Sequence, residues 1–164
     1  MNRTMESAHQ LSNRFREVIL NGTWIANTNF QDRLTGVTLS QATRLIGSLN
    51  SIAMLTYHIH YYIAGVLNVL RGGDLVIRDR YSFDLPEMDT EEAWNALRQA
   101  LYRDAEAFDV AVEQLSEEQL DSTFVDEKYG TYRRNIEGII EHSYYHLGQV
   151  SLIRKLVEEL GANV

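Results

Sequence analysis

Apolar residues recur every three to four positions over most of the chain, the spacing of a single buried face on an α-helix. A first helix is expected from about Thr4 to Leu20, with Leu11, Phe15, Val18 and Ile19 on its inner side and Asn21-Gly22 as its stop. The stretch Thr23–Val37 has no clear period and is expected to be irregular, with room for one short helical turn. A second helix is expected to start near Thr38 or Ser40 and run to about Leu70, carrying Ile52, Leu55, Ile59, Ile63, Val66 and Leu70, until Gly72-Gly73 ends it. The connection Asp74–Met88 alternates in places and fits either an extended crossover or a small hairpin.

Thr90, followed by Glu91 and Glu92, is a strong helix start, because acidic groups there meet the positive end of the helix dipole. Trp94, Leu97, Leu101, Phe108 and Val112 mark the inner face of this third helix. Ser116 and Gln119 have capping-box spacing and open a short extra turn. After a loop at Phe124–Gly130, Thr131 is placed to cap a fourth long helix that ends near Leu160-Gly161. A single proline, Pro86, agrees with an all-α fold. Four long helices with one long connection between the second and third predict a four-helix bundle formed as one domain over residues 1–164.

Composition narrows the chemistry. The chain has 164 residues, a net charge of -8 and no cysteine, so disulfides, thiolate metal sites and cysteine nucleophiles are excluded. Arg133-Arg134 and Arg154-Lys155 are isolated pairs and form no basic stripe, so nucleic acid is not an expected partner. No apolar run reaches the ~20 residues of a membrane span. Met1–Gln10 has no signal-peptide core, and the expected location is cytoplasmic.

His, Asp and Glu remain as possible metal ligands, and the five histidines are His9, His58, His60, His142 and His146. On the fourth helix, Ile139, Val150, Ile153 and Val157 define the apolar stripe, with His146 near its centre and His142 on its flank. Four residues apart, the two imidazoles share one side of the helix and can coordinate a single ion in a helical core. The bland alternative is two buried histidines hydrogen-bonded to nearby tyrosines. A third ligand must come from another helix. His58 and His60 point about 160° apart around their axis. Periodicity places His60 slightly nearer the stripe and does not choose between them.

The string Glu141-His142-Ser143-Tyr144-Tyr145-His146-Leu147-Gly148-Gln149-Val150, with Asn50-Ser51-Ile52 leading through Leu55 to His58, resembles the DinB-like (YfiT-like) metalloenzyme superfamily. That resemblance implies an up-up-down-down bundle, often homodimeric, with a divalent ion, zinc or nickel in most members, on three histidines. Its metal positions fall on His58, His142 and His146; His60 and the Tyr61-Tyr62 pair depart from the pattern beside the site.

Three neutral imidazoles leave a coordination position open, which suits activation of water or of a substrate thiol. No general base is evident: the string is E-H-x-x-x-H rather than H-E-x-x-H, and Glu137 and Glu141 project off the histidine face. Gln149 is placed to support His146, while Tyr57, Tyr61, Tyr62, Tyr144, Tyr145, Trp24 and Trp94 read first as packing residues. The expected function is a metal-dependent enzyme acting on a small molecule by hydrolysis or thiol transfer. The alternative is a non-catalytic dimeric bundle with a structural or vestigial metal site. A DNA-binding role is suggested only by the family's name, and the acidic charge opposes it.

Overall fold

The computed structural model describes residues 6–162. It is all-α, with seven helices and no strand among the described residues: α1 (Ala8–Ile19), α2 (Phe30–Leu34), α3 (Leu39–Thr43), α4 (Ile52–Leu70), α5 (Glu91–Glu113), α6 (Glu117–Asp121) and α7 (Tyr132–Ala162). One isolated antiparallel bridge joins Thr123 to Thr131. Both α1 and α4 pack against α5 and α7, so the four longer helices close a ring around one core. Among the described residues, no helix is long and apolar enough to cross a membrane.

Capping chemistry sets most boundaries. Ser7 opens α1 with a capping box completed by Gln10, so the described helix begins later than the expected Thr4, which lies outside the described residues. Asn29 caps α2, the short turn expected within Thr23–Val37. The Ser116 hydroxyl accepts the Gln119 N–H to start α6, and the Thr131 hydroxyl accepts the Arg134 N–H at 3.2 Å at the head of α7.

The second helix differs from the expectation. Thr38 does cap a helix, but α3 stops at Thr43, and the chain turns through Gly47 at φ 55° before Ser51 starts α4 with a new cap on Met54. Two separate N-caps, thirteen positions apart in the sequence, make two helices where the apolar stripe alone suggests one.

α4 has no charged residue over its 19 positions, and it is buried toward both α5 and α7. A helix apolar nearly all round needs cover on more than one side. Part of that cover is the crossover from α4 to α5, which holds a 3₁₀ turn at Asp79–Tyr81 and forms no hairpin. Gly65 makes the close approach possible: a Cβ there would lie 2.5 Å from an Ile77 side-chain carbon.

Polar groups tie the ring together. The buried Asp109 of α5 accepts hydrogen bonds from Ser12 (2.5 Å) and Arg16 of α1. Arg133, 3% exposed, donates to Asp121, to Glu117 and to the Glu6 carbonyl. Trp94 is fully buried and donates its indole N–H to the Val37 carbonyl at 2.8 Å. Trp24, by contrast, is 76% exposed and takes no part in the core.

Replacing Asp109 by alanine strands the buried Ser12 hydroxyl, and the expected loss is about 1–3 kcal/mol in urea denaturation. A loss below about 0.5 kcal/mol would show that the α1–α5 network adds little net stability.

Candidate metal centre

α4 and α7 each deliver imidazoles to one point. His58 projects from α4, and His142 and His146 project from successive turns of α7. His58 and His146 are both 6% exposed, while His142 is half-buried. The Nε2 atom of His142 lies 3.1 Å from that of His58 and 2.9 Å from that of His146. One nitrogen from each ring falls within 4.8 Å of the others, so the cluster could hold a metal ion.

Neighbouring groups fix which nitrogens face inward. His58 donates its Nδ1–H to the Ser82 carbonyl at 3.2 Å, and His146 donates its Nδ1–H to Gln149 Oε1 at 2.6 Å. Both acceptors are oxygens, so each Nδ1 carries the proton and each Nε2 presents a lone pair. The His142 Nε2 therefore faces two lone pairs and can supply at most one proton. A cation satisfies all three nitrogens where a single proton cannot. The spacing is near that of metal donors: nitrogens about 2.0–2.1 Å from one ion lie about 2.8–3.0 Å apart at right angles and about 3.3–3.4 Å apart at the tetrahedral angle. The bland alternative lacks its expected partners: among the described residues, no tyrosine hydroxyl is hydrogen-bonded to any of the three inward nitrogens.

Electrostatics favours the neutral, metal-ready form. Burial, followed by the charges His146 and His58 would carry, pushes the His142 pKa down to about 4. Burial and the proximity of His146 lower that of His58 against the opposing Ser82 and Asp79 contributions. Burial lowers that of His146 against the Gln149 hydrogen bond.

The crossover supplies groups that the sequence pattern did not reveal. Phe83 stacks on His58 with ring centroids 4.0 Å apart and planes 11° from parallel. Tyr62, from α4, meets His58 and His142 edge-on at 5.1 Å each and donates its hydroxyl to Asp79 at 2.9 Å. Asp79 thus brings a carboxylate to the site's wall from the connection and not from α7. Glu141 is exposed, as the helical count placed it. Ser82, Phe83 and Asp79 had no signal in periodicity, because an irregular segment has none.

His60, which the wheel placed nearer the stripe, turns the other way. Its Nε2 donates to Asp104 of α5 at 2.8 Å, so it neither joins nor competes for the cluster. Because α4 is buried on two sides, its single averaged stripe does not separate the side facing α5 from the side facing α7. His9 pairs with Glu113 at the surface.

The profile of the DinB superfamily matches residues 25–150. This chain belongs to the DinB superfamily. The matched region spans all three clustered histidines, with the crossover between them. No curated protein and no solved structure matches the chain.

A pH titration tests the cluster without a metal. In chelator-treated protein the unfolded chain protonates residue 142 near 6.5, while the folded chain holds it neutral down to about 4. The unfolded state thus binds more protons across that window, and stability falls as pH drops through it. His142→Gln removes this contribution, so the melting temperature of the variant should fall less steeply between pH 6.5 and 4 than that of the wild type. Equal slopes would show that His142 is not held neutral.

Proposed function

We propose that this DinB-superfamily protein is a metal-dependent enzyme acting on a small molecule, with His58, His142 and His146 as the ligands of one divalent ion. The observation that carries this reading is the convergence of three Nε2 atoms with too few protons to satisfy them. Three imidazoles and no thiolate suit zinc or nickel and leave coordination positions for a substrate. When bound, the ion supplies Lewis acidity, enough to ionise a thiol or water near neutral pH.

The chain's own groups do the rest. Ser82 and Gln149 hold two imidazoles in the required tautomer and orientation. The rings of Phe83 and Tyr62 limit water at the cluster, while the half-buried His142 borders a cavity of about 430 Å³. A purely structural ion needs no such cavity, and this favours catalysis over the stabilising alternative. Either hydrolysis or thiol transfer fits the site. We further propose that the four-helix ring is a single-domain up-up-down-down bundle that works as a homodimer; the apolar Tyr145 and Leu152, exposed on α7, support an interface there.

Protein purified without an affinity tag should retain or take up about one divalent ion per chain by elemental analysis, and His146→Ala should abolish this. A wild type that takes up none would end the metalloenzyme reading. Gln149→Ala leaves every ligand in place and should weaken metal affinity by about 10–100-fold in a chelator competition. Chelation that lowers the melting temperature of a protein inactive on thiol and ester panels would favour the structural role.

A further inference from the structure

The cavity beside His142 has a chemical character of its own. Along α7, Arg134, Gly138 and His142 follow one another at intervals of four residues and line the same wall. The Cα atoms of Arg134 and His142 are separated by about 12 Å of helix rise. Between them the wall is bare, since a Cβ built on Gly138 would meet nothing within 4 Å. Glycine within a helix costs about 1 kcal/mol relative to alanine. No close approach by another element requires Gly138, and what its missing side chain preserves is open cavity.

Facing this wall are Leu75 and Ile77 of the crossover. Among the described residues, the exposed Arg134 has no side-chain hydrogen-bond or ion-pair partner. Its stem lies against Gly130, where a Cβ would come within 2.8 Å of the Arg134 Cδ. Asp79 also lines the cavity, but it is engaged by the Tyr62 hydroxyl and forms no ion pair with Arg134. Cation and carboxylate thus line one cavity without neutralising each other.

Resting on the reading of the histidine cluster as the reactive centre, we infer that this cavity binds a small organic carboxylate with an apolar body. The carboxylate pairs with Arg134, whose planar fork suits two parallel hydrogen bonds. The apolar body crosses the bare surface at Gly138 against Leu75 and Ile77. The far end of the molecule reaches His142 and Tyr62, where a hydroxyl or thiol donor is compatible with Asp79 and a second anion is not. The volume of about 430 Å³ falls within the range of about 300–1,000 Å³ typical of small-molecule sites.

Hexanoate and its uncharged counterpart hexanamide are suitable probes, titrated by NMR into the protein as purified, with metal content measured for every sample. Hexanoate should perturb resonances around Gly138 and bind more tightly than hexanamide. Arg134→Gln should weaken hexanoate about tenfold and leave hexanamide unchanged, with partial recovery in Arg134→Lys. Gly138→Leu should abolish binding of both probes while its circular dichroism and metal content match the wild type. Hexanoate binding that is absent at millimolar concentration, or unaffected by Arg134→Gln and Gly138→Leu, overturns the inference. A metal-loaded protein with that result keeps the metal reading and loses this one. A metal-free protein with Arg134-dependent binding does the opposite.

Discussion

Everything at the functional end of this molecule follows from a shortage of protons. Two imidazoles have their protons committed outward, to the Ser82 carbonyl and to Gln149, and their lone pairs meet beside a third imidazole that brings one proton at most. In bulk water such a cluster would relax by rotating or hydrating. Here two of the rings are nearly inaccessible, and rings on neighbouring residues limit their rotation. Adding protons is opposed by burial at all three groups, joined at His58 and His142 by repulsion from neighbouring imidazoles, and each stays below the ordinary histidine range. A divalent cation relieves the conflict at every nitrogen at once. An ion bound there would couple its affinity to the stability of α4 and α7, which hold the two sides of the site.

The crossover has a structural and a chemical role that cannot be separated. It covers the side of α4 that α5 and α7 leave open, and it can lie close because residue 65 has no side chain. The same descent onto α4 brings Ser82 and Phe83 to His58 and Asp79 to Tyr62. A long connection in a helical ring is costly to order. In this protein a few specific ties to an uncharged helix, from Arg78, Asp79 and Ser82 to Tyr61, Tyr62 and His58, hold the otherwise exposed connection, and orientation of His58 comes with them.

Sequence alone went furthest where local rules operate. The α7 pair was legible because four-residue spacing on an apolar face has one geometric meaning, and Gln149 followed from the same count. Caps at Thr90, Ser116 and Thr131 were legible for similar reasons. The break between α3 and α4 was visible as a second cap at Ser51, but the apolar stripe obscured it. The choice of His58 over His60 was not available from periodicity. α4 has two buried sides, and a wheel reports burial without saying which neighbour covers it. Family resemblance nominated His58, and His58 is the one of the two that clusters with His142 and His146. Asp79, Ser82 and Phe83 were out of reach, since only the tertiary path of an irregular segment brings them to the site.

Charge places a further constraint on what the site accepts. With a net charge of -8, the long-range field of the molecule draws cations and turns anions away. That field assists loading of a divalent ion but gives no help to an anionic substrate. Selection of such a substrate must then be local, made by a cation close enough to act within the screening length of about 8–10 Å. Arg134 is the cation that lines the cavity, and it lies at the end away from His142. On the proposed reading, its distance along the helix would orient a bound anion with its charge remote from the histidines, leaving an uncharged or thiol end to meet the metal-ready nitrogens. One face of α7 thereby carries two kinds of recognition, a cation-seeking imidazole cluster and an anion-seeking guanidinium, separated by the surface that Gly138 leaves bare.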